Sequence, residues 1–344
     1  MIKNNKPTYI DLFTGAGGLY RGFKDAGFEH LFSVELWKPA IDTLKHNYPN
    51  INLYEDDIRK LDKDTMLKLL NGKECDVLIG GPPCQGFSTI GKRLEKDPRN
   101  ELVFEFIRVV ETIKPKFFIM ENVKGLLSAN KGIMRDLLIE KFVEIGYKNT
   151  ISSVLCATDY GVPQMRQRVF FFGVRDDVVL KSKLSFPKPT DTNKTVGDVI
   201  MDLLGQENKI PNHIPMNHNK TVVERIKHIP EGGGIPKEGL PEEVAYGSRS
   251  DYANNKLKNF SHVYKRLDRS KPATTMVPGH NAFPLHPVAD RSLTVREAAR
   301  IQTFPDDVVF MGNRQEQCIQ VGNAVPVKLA EALAENIKKY LQEV

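Results

Sequence analysis

Through the first half of the chain, short apolar runs alternate with amphipathic stretches. Thr8 to Phe13 precedes Leu19 to Ala26, and Leu31 to Val34 precedes Ala40 to His46. Val77 to Ile79 then leads to Leu102 to Ile113, and Phe117 to Met120 to Met134 to Ile145. Short runs without polar interruption read as strands buried on both faces, and the longer periodic stretches as helices with one buried side. The rhythm predicts an α/β fold: a doubly wound, mostly parallel Rossmann-like sheet covered by helices on both faces. Further strands are expected at Ser152 to Leu155 and Arg168 to Val174.

After Ser185 the pattern breaks. Phe186-Pro187-Lys188-Pro189-Thr190 opens a stretch rich in Pro, Asn, His and Gly with no clean helical period, which marks a boundary. Within it, Pro230 to Pro241 carries three successive glycines and reads as an exposed loop. Periodicity returns at Thr294 to Thr303, and from Val327 onward Ala330, Leu333, Ile337 and Leu341 share one helical face. Such a stripe needs a partner, and the first domain's sheet is the obvious one. The expected division is residues 1–185 as a first domain, 186–291 as a smaller second domain, and 292–344 as a hinge and return segment.

Composition narrows the class. Of 344 residues, 40% are hydrophobic and 27% charged, an ordinary globular balance. No apolar run reaches the roughly 18 residues of a membrane span, and Met1 to Lys6 is polar rather than signal-like, so a cytoplasmic protein is expected. Four scattered cysteines, Cys75, Cys84, Cys156 and Cys318, suit a reducing compartment and show no zinc-ligand spacing, so no metal is expected. The net charge of +6 is modest, but Gln206 to His280 holds eight Lys and four Arg against eight acids. That excess suits phosphate contact without requiring it.

Candidate chemistry sits where strands end. Asp11-Leu12-Phe13-Thr14-Gly15-Ala16-Gly17-Gly18-Leu19 is a glycine turn opening a helix, whose free amides suit an anionic group. A dinucleotide fingerprint would need glycine at Tyr20, so a smaller nucleoside ligand with a carboxylate fits better than a pyrophosphate. Glu35 ends the second run, placed to accept ribose hydroxyls; Asp57-Ile58 ends the next and offers adenine an acceptor and an apolar face. Each alone reads equally as a helix cap or a solvated turn, but three in order do not.

Gly80-Gly81-Pro82-Pro83-Cys84-Gln85-Gly86-Phe87-Ser88 follows Val77 to Ile79. Prolines that fix the backbone and glycines that admit close approach make this a poor place to bury a thiol for packing, so Cys84 reads as a nucleophile. Glu121-Asn122-Val123 closes the expected neighbouring strand, so a carboxylate faces the same pocket. In Gln164-Met165-Arg166-Gln167-Arg168, alternation points Arg166 and Arg168 the same way; alone they would read as surface ion pairs.

These segments, with Arg296-Glu297-Ala298-Ala299-Arg300-Ile301-Gln302 and Gly322-Asn323-Ala324-Val325-Pro326, resemble the ordered motifs of the cytosine-5 DNA methyltransferase family over nearly the whole chain. The resemblance implies S-adenosylmethionine as cofactor on a methyltransferase sheet, with Phe186 to Arg291 carrying target recognition. It implies cofactor contacts from Phe13, Thr14, Gly15, Gly17, Gly18 and Leu19, then Glu35, Leu36, Asp57 and Ile58, and finally Pro82, Asn323 and Ala324. In one departure, Leu36 follows the ribose-binding acid and Trp37 comes one later, where some members place Trp directly.

It further implies that the Cys84 thiolate adds to carbon 6 of a flipped cytosine while Glu121 donates a proton toward ring nitrogen 3. Arg168 would hold the ring oxygen and Arg166 organise the pocket, the reverse assignment remaining open. Double-stranded DNA is the expected partner, with contacts from Gln85, Ser88, Arg225, Lys227, Arg249, Lys256, Lys258, Lys265 and Arg266. A monomer is expected, with a cognate restriction endonuclease acting on the same site as a further partner. The nearest alternative is an RNA cytosine methyltransferase with the same motifs, against which the long recognition segment argues. A catalytically inactive DNA-binding partner would not need Cys84, Glu121 and both arginines together. A nicotinamide dehydrogenase conflicts with Tyr20.

Overall fold

A computed structural model describes residues 6–83, 101–128, 132–236, 240–244, 264–277 and 283–344. In the first half, strands and helices follow the apolar rhythm: β1 (Thr8–Leu12), α1 (Gly18–Asp25), β2 (Glu29–Val34), α2 (Lys38–Asn47), β3 (Leu53–Tyr54), α3 (Lys63–Leu70) and β4 (Val77–Gly80). Next come α4 (Glu101–Ile113), β5 (Phe117–Val123), α5 (Gly125–Ser128), α6 (Ile133–Glu144), β6 (Asn149–Cys156), β7 (Gln164–Met165) and β8 (Gln167–Val174). Seven strands form one sheet in the order β3-β2-β1-β4-β5-β8-β6. The first five pair in parallel, and β8 enters antiparallel between β5 and β6.

Alternate side chains sort to two cores. On one face Tyr9, Val77, Ile79, Phe117, Ile119, Phe170 and Phe172 meet Leu19, Phe23 and Leu44 of α1 and α2. On the other, Ile10, Leu12, Leu78, Phe118, Met120 and Phe171 meet Met66, Phe106, Val110, Leu138 and Phe142 of α3, α4 and α6. Each aliphatic or aromatic side chain so buried contributes about 1.5–3 kcal/mol, which is why the runs are continuous rather than alternating.

Beyond β8 the described elements are α7 (Gly197–Ile200), α8 (Lys220–Lys227), β9 (Ala273–Thr274), α9 (Val295–Ile301), α10 (Arg314–Asn323) and α11 (Val327–Leu341). β9 pairs with β7 in a separate two-stranded sheet. A third core joins Val196, Ile200, Leu267, Ala273, Met276 and Phe283 to Leu293, Ala298, Ile301, Phe304 and Val321. α9 starts at a capping box in which Thr294 and Glu297 satisfy each other's backbone N–H. α10 starts at another, between Asn313 and Glu316. The stripe on α11 is buried against the first core, Leu341 only partly. A β-carbon at Gly22 of α1 would stand 2.4 Å from Ala330 Cβ, so glycine is what lets the two helices touch. Among the described residues no helix is long and apolar enough to cross a membrane.

Candidate functional site

Because β1, β2, β3, β4 and β5 run parallel, their carboxyl ends open on one edge of the sheet, where ligands of such folds bind. A cavity of about 740 Å³ lies there, reaching from the glycine turn to Glu121 and the two arginines.

The turn is shaped by its backbone. Gly17 caps α1 with φ +85°, a left-handed conformation that glycine adopts without cost. Phe13 adopts φ +59° without that freedom, a local strain of the kind found at binding sites. Thr14 Oγ1 donates to Asp11 O at 2.9 Å and fixes the bend. Phe13, Thr14, Gly15, Gly18 and Leu19 line the cavity; Gly17, expected among the contacts, does not, and serves the turn instead.

Glu35 stands at the next strand end. Its Oε2 accepts from Gly15 N at 2.7 Å, and its Oε1 from Leu36 N at 3.0 Å and Trp37 N at 2.8 Å, so three amides clamp the carboxylate at the cavity wall. Burial nevertheless raises its pKa, the three amides opposing the shift. Beneath it, burial and the neighbouring Glu35 push Asp11 well above the ordinary carboxylate range. Leu36 lines the cavity while remaining 60% exposed, and Trp37 lies beside it. Asp57 and Ile58 also line it. Asp57 is engaged by Arg59, which donates from its backbone N at 3.0 Å and forms an ion pair with the carboxylate, lowering its pKa.

The far end holds the acid. Glu121 pairs across the sheet with Phe170, and Arg168 lies two residues along on the same face. Arg168 Nε stands 3.1 Å from Glu121 Oε1, the two side chains only 16% and 12% exposed. Burial raises the Glu121 pKa, and Arg168 and Arg166 oppose the shift without cancelling it. A β-carbon at Gly81 would stand 3.0 Å from Glu121 Oε2, so the turn after β4 is close to touching the carboxylate.

Arg166 and Arg168 both line the cavity but have different partners. Arg166 is almost wholly buried and donates to Gly322 O at 2.9 Å and Asn323 O at 3.1 Å. Burial, with Arg168 alongside, pulls it down to about 9, still charged at neutral pH. Asn323 and Ala324 thus reach the cavity from the return segment, as does Pro82 from β4. Sequence reasoning missed Asn122, whose Nδ2 donates to Pro82 O at 3.1 Å and pins the double-proline turn to β5. Its place inside the Glu121-Asn122-Val123 motif was the available signal. Also missed were Ile319 and Gln320, which line the cavity from a stretch that carries no ligand-binding pattern, and Val325, which lies within the Gly322-Asn323-Ala324-Val325-Pro326 motif.

Cys84, Gln85 and Ser88, with Arg249, Lys256 and Lys258, lie outside the described residues. Two expected phosphate contacts are corrected. Arg225 is buried, donating from Nε to Val244 O at 2.6 Å and from Nη1 to the Tyr264 hydroxyl at 2.7 Å. Arg266 is also buried, donating to the carbonyls of Ile226, Ile229, His286 and Ala289 and pairing with Asp290 at 2.9 Å. Both guanidinium groups are spent on their own segment. Lys227 and Lys265 are exposed, Lys227 pairing with Glu224 at 2.6 Å.

Comparison with known proteins agrees with this architecture. The profile of the family described as C-5 cytosine-specific DNA methylase matches residues 8–339. Type II methyltransferase M1.HphI of Haemophilus parahaemolyticus is 41% identical over 340 residues, covering 96% of this chain and 87% of that protein. Type II methyltransferase M.DdeI of Desulfomicrobium norvegicum is 36% identical over 377 residues, covering 97% and 89%. Among solved structures, an Escherichia coli prophage protein assigned as a DNA modification methyltransferase superposes with a TM-score of 0.72 at 27% identity, covering 98% and 100%. Spodoptera frugiperda DNMT2 shares the fold at a TM-score of 0.62 and 20% identity, covering 97% and 100%.

Proposed function

The chain belongs to the C-5 cytosine-specific DNA methylase family, and from that premise we propose that it methylates a cytosine extruded from duplex DNA through a covalent adduct with Cys84. It is a DNA (cytosine-5) methyltransferase, of the S-adenosylmethionine-dependent type. The observation that carries the mechanistic reading is that one cavity joins the glycine turn and Glu35 at one end to Glu121, Arg166, Arg168 and Pro82 at the other.

The cofactor end suits S-adenosylmethionine by its donor set. Glu35, held by three amides, offers a fixed acceptor to a ribose diol, and the start of α1 at Gly18 and Leu19 suits a carboxylate. Phe13, Leu36, Trp37 and Ile58 offer apolar surface to adenine, and Asp57 an acceptor to its amino group. When bound, the cofactor supplies an electrophilic methyl group to carbon 5.

The chain's residues make that carbon nucleophilic. The Cys84 thiolate adds to carbon 6, and the ring's electrons move toward carbon 5 as nitrogen 3 takes the Glu121 proton. Burial, which favours the neutral carboxyl, supports that role. Arg168, next to Glu121, is placed to donate to the ring oxygen, and Arg166 braces the wall. A base takes the carbon-5 proton, its C–H electrons re-form the 5,6 double bond and Cys84 leaves as thiolate, while nitrogen 3 returns its proton to Glu121. A stacked base lies out of reach of these groups, so extrusion is part of the reading, at a cost of a few kcal/mol.

The 186–291 segment is assigned to target recognition, with Lys227 and Lys265 among its phosphate contacts and residues 292–344 returning the chain to the 1–185 domain. The relatives' Type II names support a restriction-modification setting with a cognate endonuclease, and a cytoplasmic protein acting as a monomer belongs to the same proposal. Incubation with methyl-labelled S-adenosylmethionine and either duplex DNA or transfer RNA tests the reading. Label at carbon 5 of cytosine in DNA is expected, and label confined to RNA would overturn it.

A further inference from the structure

We infer that Gln302 is a positioning residue for the cofactor wall, holding the turn that follows α10 by its carbonyl oxygens. The inference rests on the reading of the cavity as the S-adenosylmethionine site. Gln302 is wholly buried, and its Nε2 donates to Val321 O at 2.8 Å and Ala324 O at 3.3 Å. Arg166 takes the two carbonyls between them, Gly322 and Asn323. Four successive carbonyls at a helix end, the groups a helix leaves without internal partners, are thus gripped by two side chains. The backbone adds to the grip: Val327 N donates to Gln302 O at 3.2 Å, and Lys328 N to Thr303 Oγ1 at 2.9 Å.

The held turn forms part of the cavity, since Asn323, Ala324 and Val325 line it. It also presses on the start of α1, where a β-carbon at Gly18 would stand 2.2 Å from Val325 O. Gln302 itself does not line the cavity. The other end of α9 is fastened to the variable segment. There Thr294 Oγ1 lies 2.9 Å from His213 Nδ1 and Arg296 Nε donates to Pro211 O at 3.1 Å, while Arg300, at the same end as Gln302, pairs with Asp202 at 2.7 Å. α9 is therefore a bolt between residues 202–213 and the cofactor wall, with Gln302 as its tip. Loosening the tip moves the wall without altering the contact between Glu121 and Arg168.

Gln302→Met keeps the length of the side chain and removes the donor. Its Kd and KM for S-adenosylmethionine should rise roughly tenfold while kcat stays within about twofold, the signature of lost ground-state binding. Gln302→Glu faces two carbonyls with a carboxylate that has no proton to give. Its affinity defect should shrink as pH falls and the carboxyl regains a donor, whereas the Met variant's defect should not change with pH. That pH rescue is a readout that simple destabilisation would not produce, and it serves equally if the Met variant fails to fold. Folded variants with unchanged cofactor affinity, or with kcat reduced at unchanged KM, would overturn the role of Gln302. A wild-type protein that does not bind S-adenosylmethionine would instead overturn the functional reading itself.

Discussion

Glu121 and Arg168 lie on adjacent antiparallel strands, two register positions apart on the same face, with Oε1 and Nε 3.1 Å apart in the wall of the cavity. The pair sets a carboxyl group that burial pushes toward the neutral form beside a guanidinium, so one cytosine can meet a proton donor at nitrogen 3 and a hydrogen-bond donor at its oxygen.

Glu121→Gln keeps the shape and removes the transferable proton. Methyl transfer should fall by about 10²–10⁴-fold, the usual worth of a positioned acid. Because the Glu121 pKa is raised and the protonated form is the active one, wild-type activity should decline as pH rises through the folded value. The Gln variant should lack that limb. A pH–rate profile of kcat/KM for both proteins checks this, and identical profiles would remove Glu121 from the proton transfer.

Gly81→Ala tests the tight approach to Glu121. A β-carbon 3.0 Å from Oε2 forces the carboxylate to shift, and its pairing with Arg168 resists the move. Misplacement of a catalytic group by an ångström costs on the order of 10²-fold in rate, and the shift needed here is a fraction of that, so a smaller drop in kcat with little change in melting temperature is expected. Unchanged kcat would show that the carboxylate yields freely.

Much of this was legible in the chain. The parallel strands declared themselves because both their faces are buried, and the site followed because strand ends in such a sheet gather on one edge. The antiparallel insertion of β8 did not, since Val169 to Val174 reads as the same apolar run in either direction. Arg225 and Arg266 misled for a different reason. Their charge suggested phosphate contact, but carbonyls from distant loops take their N–H groups, and no local pattern records that.

Arg266 should therefore behave as a structural residue. Arg266→Met removes donors from buried carbonyls, and hydrogen bonds to charged groups are worth about 1.5–3 kcal/mol each, so a loss of at least about 3 kcal/mol is expected in denaturant titrations. Lys265→Met, at an exposed position, should leave stability within about 0.5 kcal/mol. It should lower the slope of log affinity against log salt by about one if Lys265 meets a phosphate. Stability effects of equal size would contradict the distinction.

Asp11 offers a pH test of stability. Its pKa is raised in the folded state, so its contribution is fully present below the unfolded value and is lost as pH rises through the folded one. Asp11→Asn removes that loss. The melting temperature of the variant relative to wild type should climb with pH over that interval, and parallel melting curves would show that Asp11 is not penalised by its burial.

The central claim is that the sulfur of Cys84 and the carboxyl of Glu121 act on one extruded cytosine. The most direct measurement is mass spectrometry of the product formed with S-adenosylmethionine and a duplex carrying 5-fluorocytosine at the target position. Fluorine blocks loss of the carbon-5 substituent, so a stable protein–DNA adduct mapping to Cys84 and carrying the transferred methyl group is predicted. Full methylation of ordinary duplex by Cys84→Ser, or an adduct mapping to another residue, would contradict it.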